Sequence, residues 1–213
     1  DYLNTNTRTL FLQDYAWLKH THDTLLTKQG FEEAKFKYTN YELINEGLKN
    51  RAFSEVVDAA YKLLQLMPDN ASLYNNIGYA YLLQKKYKEA IEAFTSAISI
   101  DPYFDFAINN RGYCRLQSGD IDNAYADLYS SFEMNPDNSY SWRNLGAYYL
   151  KTGDYNKALE HFEQAIKIDP KTELINFYFA YTYRKLNEEE KASGYLARSK
   201  EINELNDSTL ALD

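Results

Sequence analysis

The chain has 213 residues, 45% hydrophobic and 25% charged, the balance of a folded protein rather than a disordered segment. Its formal net charge of -8 gives an acidic surface that repels phosphate backbones, which argues against nucleic acid as a partner. A lone Cys114 excludes an internal disulfide framework, and no run approaches the roughly 20 apolar residues of a membrane-spanning helix.

Residues 8–29 read as one helix, with Leu10, Phe11, Trp17, Leu18 and Leu25 as its apolar content. Residues 1–36 are expected to form an N-terminal helical cap or the degenerate half of a further repeat. From residue 37 the chain is periodic. Its prolines, Pro68, Pro102, Pro136 and Pro170, are evenly spaced, and proline cannot continue a helix. Gly78, Gly112, Gly146 and Ala180 recur at the same interval, as do Ala90, Ala124, Ala158 and Ala192, and Asn76, Asn110 and Asn144.

This frame divides the chain into units 37–70, 71–104, 105–138, 139–172 and 173–206, with 207–213 as a C-terminal tail. In the unit 71–104, Tyr74, Ile77, Gly78 and Tyr81 fall at helical spacing. Tyr87, Ala90, Ile91, Phe94, Ala97 and Ile98 then form one apolar stripe, so the unit reads as a helical hairpin ended by Asp101-Pro102. Gly78 and Ala90 are expected where the two helices approach most closely. The first unit lacks that small pair, and the last has lost its proline. Asp69-Asn70 and Asp137-Asn138 carry the side chains that N-caps prefer.

The unit 139–172 holds Trp142, Leu145, Gly146, Tyr149, Gly153, Tyr155, Ala158, Phe162, Ala165 and Pro170. With this pattern the chain resembles the tetratricopeptide repeat family over about residues 37–206. The resemblance implies an all-α, right-handed superhelical solenoid of hairpins, with an extra N-terminal helix, whose first helices line a concave groove. On that basis Asn76, Asn110 and Asn144 point inward, with Tyr79, Tyr113, Ala147 and Tyr181 one turn on. Ser72, Phe106, Tyr140 and Leu174 lie to the other side, and Asn109 and Arg143 in the adjacent row.

An Asn amide can pair with both groups of an extended peptide backbone, and neighbouring tyrosines offer side-chain pockets. The groove candidates are therefore Asn76, Tyr79, Asn109, Asn110, Tyr113, Tyr140, Arg143, Asn144 and Tyr181. The family's carboxylate clamp places Lys and Arg at set positions. Here those slots hold Asn75, Asn109, Tyr140 and Asn144, with Arg143 the one cation nearby, so no clamp is expected. One subtype of the family joins Asn-Arg-Gly in the first helix to Asp in the second, which implies an ion pair between Arg111 and Asp127. Arg115 has Asp120 and Asp122 as its nearest candidates.

Catalytic motifs are lacking. His20 and His22 are two apart on a helix and face different ways, while His161 has no neighbouring ligand in sequence. No Gly-rich phosphate loop, Gly-x-Ser-x-Gly elbow or HExxH occurs. The expectation is a non-enzymatic scaffold without cofactor or metal that binds a peptide or partner segment. The alternatives are a recruiting arm of a larger enzyme or envelope or secretion assembly, and self-association through apolar surface on the last hairpin. Compartment is open between the cytoplasm and, for a chain whose leader has been removed, the periplasm or envelope.

Overall fold

The computed structural model describes residues 28–201. Within them lie ten helices and no strand: α1 (Lys28–Lys49), α2 (Phe53–Leu64), α3 (Ala71–Leu83), α4 (Tyr87–Ile100), α5 (Asp105–Ser118), α6 (Ile121–Met134), α7 (Ser139–Thr152), α8 (Tyr155–Ile168), α9 (Ile175–Lys185) and α10 (Glu189–Glu201). The expected helix over 8–29 falls almost wholly outside the described residues, as do His20, His22 and the tail 207–213. One continuous helix, α1, crosses the expected boundary between residues 36 and 37.

The helices pair as five hairpins, α1–α2 through α9–α10, and each hairpin turns on a residue in the left-handed region. These are Arg51 (φ 61°), Lys85 (φ 59°), Gly119 (φ 90°), Gly153 (φ 90°) and Asn187 (φ 60°). They share one frame position with the interval of the prolines, so the turn repeats even where its glycine does not. Arg51 and Lys85 hold a conformation that a Cβ disfavours. Between hairpins the Asp-Pro step is a side-chain turn: Asp101 Oδ1 accepts from the Tyr103 N–H at 3.0 Å and Asp169 Oδ1 from the Lys171 N–H at 2.9 Å. At the other two boundaries, after Met67-Pro68 and Asn135-Pro136, Asn70 and Asn138 cap α3 and α7, accepting from the N–H groups of Leu73 and Tyr140.

Within a hairpin the close approach is glycine against a bulky side chain. A Cβ on Gly78 would stand 2.7 Å from the Phe94 ring, so Phe94, not Ala90, is the side chain that needs the glycine. Gly146 meets Phe162 in the same way. The first hairpin, expected to lack a small residue, supplies Gly47 instead, where a Cβ would be 2.7 Å from Val56 Cγ2. Large and small are exchanged there: Ile44 stands in the frame of Gly78, and Ala60 in the frame of Phe94.

The apolar core forms three successive clusters along the stack, one around Ile44, Val56 and Leu63, one around Phe94 and Cys114, and one around Leu128, Leu145, Phe162 and Phe179. The last hairpin is closed by stacked rings, with Phe179 4.7 Å from Tyr195 between centroids and Tyr183 5.6 Å from Tyr195. Among the described residues it exposes no large apolar side chain, contrary to the surface expected for self-association; four such residues, Phe31, Phe36, Tyr38 and Leu43, lie on α1 instead. First helices touch the first helices of the next hairpin, α3 with α5, α5 with α7 and α7 with α9, whereas second helices make no comparable contact. That asymmetry curves the stack and puts the first helices on its inner side.

Candidate functional site

The inner face brings the expected groove residues into one strip, but not as a uniform exposed ladder. Asn144 is 0% exposed, Asn109 1% and Asn76 6%, while Asn110 keeps part of its side chain in solvent. The expectation that Asn76, Asn109 and Asn144 stand open in the groove is corrected by packing. Adjacent first helices sit close enough for one asparagine to reach the next. Asn144 donates through Nδ2 to Asn109 Oδ1 at 3.2 Å.

Arg143 completes that network. Its Nε and Nη2 donate to Asn144 Oδ1 at 3.0 and 2.9 Å, and its Nη1 to the Glu173 carbonyl at 3.2 Å. The guanidinium lies over the ring of Tyr140 at 4.8 Å and near that of Tyr113 at 5.9 Å. It is a buried clasp between α7 and the start of α9. The backbone it holds is unusual: Leu174, next to Glu173, caps α9 with φ 62°.

Tyr178 occupies the frame position of Asn76, Asn110 and Asn144, and its hydroxyl lies 3.2 Å from that of Tyr113. Burial, reinforced by Tyr178, pushes the Tyr113 phenol well above its usual range. Around α5, α7 and α9 the inner strip is thus tied to itself. Tyr79, Asn110, Tyr140 and Tyr181 remain half-buried and reachable, with Lys185 Nζ 5.1 Å over the Tyr181 ring.

The other end differs. The side-chain oxygens of Asn75 and Asn76 are buried and have no hydrogen-bond partner among the described residues. Glu42, one repeat before Asn76, is exposed and forms no ion pair among the described residues. Neither Asn75 nor Glu42 was among the groove candidates; carrying the repeat frame back through α1 would have found Glu42, as carrying it forward would have found Tyr178.

Away from the groove, Asp127 bridges two arginines. Arg111 donates to it twice at 2.8 Å, and Arg115 Nη1 once at 2.7 Å. Arg115 therefore reaches past Asp120, which is 4.0 Å away. The single carboxylate sits where Gly112 lets α5 and α6 meet, which explains the polar residues at otherwise apolar positions. Burial raises the pKa of the Cys114 thiol beyond ordinary titration, as suits a packing residue. His161 bonds through Nδ1 to the Lys157 carbonyl at 2.8 Å and packs between Trp142 and Tyr149. Among the described residues no group of His, Cys, Asp or Glu could hold a metal, and no helix is long and apolar enough to cross a membrane.

The family model for the tetratricopeptide repeat matches residues 71–104 and 139–172, which are the hairpins α3–α4 and α7–α8. No curated protein matches the chain in sequence. Among solved structures the chain is similar to MamA, residue 41 to the end, from Desulfovibrio magneticus RS-1, at 15% identity and TM-score 0.59, over 83% of this chain and 98% of that one. A chain of the APC/C hetero-tetramer Cut9–Hcn1 is 20% identical with TM-score 0.68, over 83% of this chain and 33% of its own. The Sgt2 TPR domain from Aspergillus fumigatus is 26% identical with TM-score 0.50, over 57% of this chain and 82% of its own.

Proposed function

From a chain that carries tetratricopeptide repeats, we propose a non-catalytic interaction module whose inner face holds an extended segment of a partner protein. The observation that carries this reading is the strip of half-buried Tyr79, Asn110, Tyr140 and Tyr181, contributed by successive first helices along one curved surface. Tyrosines give contact area at low entropic cost, and a side-chain amide offers both a donor and an acceptor to a passing backbone. Such a strip reads peptides through shape and hydrogen bonds and has no chemistry to perform on them. The tetratricopeptide-repeat neighbours support an interaction role in general terms.

The test is selection of a displayed 12-residue peptide library on the immobilised chain, followed by affinity measurement with a synthetic copy of the selected peptide. A Tyr79→Ala/Asn110→Ala double variant should bind at least tenfold more weakly, with an unchanged circular dichroism spectrum. Equal affinity for both proteins would remove the inner face from the account.

A further inference from the structure

The inner strip divides into two halves that differ in what they leave unsatisfied. Along one frame position run Glu42, Asn76, Asn110, Asn144 and Tyr178, and along the neighbouring one Tyr41, Asn75, Asn109, Arg143 and Phe177. In the C-terminal half the polar groups of both series are paired, Arg143 with Asn144, Asn144 with Asn109, and Tyr178 with Tyr113 of a third row. By the same register Asn110 should serve Asn75 as Asn144 serves Asn109. It does not: Asn75 Oδ1 is without a donor, and Asn110 makes no side-chain hydrogen bond among the described residues.

The buried atoms left unpaired in the N-terminal half are all of one kind. Asn75 is 2% exposed, and its oxygen and that of Asn76 are unpaired acceptors. A buried carbonyl without a donor is rare in folded proteins and needs a reason. Glu42 adds an exposed carboxylate. Two cations of α1 are engaged elsewhere, Lys37 with Glu33 at 2.7 Å and Lys49 with Glu46 at 2.8 Å, while Lys35, seven residues before Glu42, forms no ion pair among the described residues. Arg143 is committed to Asn144 and Glu173 in the other half. The buried unmet demand here is for donors, and the exposed Glu42 carboxylate favours a positive charge.

We infer that the inner face over α1, α3 and α5 binds an extended polypeptide segment bearing a Lys or Arg side chain, whose backbone N–H groups go to Asn75 and Asn76 and whose cation goes to Glu42. This rests on the groove reading above and narrows it to one half of the strip and one charge of ligand. Both amide oxygens are covered in the free protein, so engagement turns each amide outward about its side-chain torsions. No internal donor holds the oxygens in. The self-bonded C-terminal half serves as the rigid wall that keeps the curvature fixed.

The experiment titrates the full chain into two fluorescent pools of decapeptides, matched in length and composition except that one carries Lys and Arg where the other carries Asp and Glu. Polarisation should rise with the basic pool alone. Glu42→Gln should weaken that binding at least tenfold. Asn75→Leu and Asn76→Leu should weaken it to a similar degree while leaving the melting temperature unchanged or raised, because the carbonyl removed had no partner. A purely structural asparagine would lower the melting temperature instead. A preference for the acidic pool, no preference, or wild-type binding by Glu42→Gln would overturn this inference and leave the groove reading standing. Binding of neither pool would overturn both. Should the leucine variants fail to fold, the exposed Glu42→Gln substitution still decides.

Discussion

Tyr113 and Tyr178 bring their hydroxyl oxygens within 3.2 Å although 65 residues separate them. They belong to α5 and α9, two hairpins apart, so the contact spans the intervening α7. On α7 the frame position of Tyr113 is held by Ala147, a small side chain that leaves the two rings room to meet. The bond therefore measures the curvature of the solenoid at that point. Tyr178→Phe should cost about 1 kcal/mol in denaturant unfolding, the usual worth of one buried hydrogen bond.

The same pair sets an alkaline limit. The folded-state pKa of Tyr113 is raised by burial and by Tyr178, so folding favours the protonated phenol. That contribution is fully present below a pH of about 10, the unfolded value, and is lost as pH rises toward the folded value. Unfolding free energy measured from pH 9 to 11.5 should fall more steeply for the wild type than for Tyr113→Phe.

The turn residues separate backbone strain from packing. Gly119 and Gly153 have φ 90° with nothing within 4 Å of the place a methyl group would take, so any cost of alanine there is conformational alone. Gly119→Ala and Gly153→Ala should each destabilise by about 1 kcal/mol. Lys85→Gly and Arg51→Gly should act in the opposite sense, gaining about 0.5 kcal/mol after the extra freedom of glycine in the unfolded chain is counted. Thermal melts of the four variants check both signs.

Asp127 holds two guanidinium groups, and both sit partly inside the protein. Removing the carboxylate leaves Arg111 without a counter-charge and Arg115 with only Asp120, 4.0 Å away. Asp127→Ala should therefore destabilise by about 3 kcal/mol, more than an exposed pair would. Arg111→Met, which trades the charge for an apolar chain and leaves Arg115 on Asp127, should cost less. Chemical denaturation of the two variants ranks them.

Asn144 and Asn110 share a frame position but not a role. Asn144→Ala strands Asn109 Oδ1 and two Arg143 donors, and should cost about 2 kcal/mol of stability. Asn110→Ala should leave stability within about 0.5 kcal/mol and act on peptide affinity. Parallel melts and titrations distinguish them.

Much of the architecture was legible because one constant period fixes prolines, glycines and alanines together, and each has a physical reason to recur. The hairpins and the caps of α3 and α7 follow from that frame, and the pairing of Arg111 with Asp127 from the family resemblance. What the frame could not show is how near adjacent first helices come. That distance decides whether an asparagine faces solvent or a neighbour, and it buried Asn144, Asn109 and Asn76 where an open ladder was expected. The exchange of large and small residues between Ile44 and Ala60 hid the first hairpin's packing for a similar reason: complementarity across the interface is kept while each side changes. Arg115 was assigned to neighbours in sequence, whereas the hairpin brings Asp127 closer.

The proposed partner segment lies extended along the inner side of the stack. Backbone amide shift mapping by NMR, with the library-selected peptide added to the full chain, tests it directly. Perturbations grouped on α1, α3, α5, α7 and α9 are the expected result. Perturbations grouped on α2, α4, α6, α8 and α10 would place the partner on the outer surface and contradict the account.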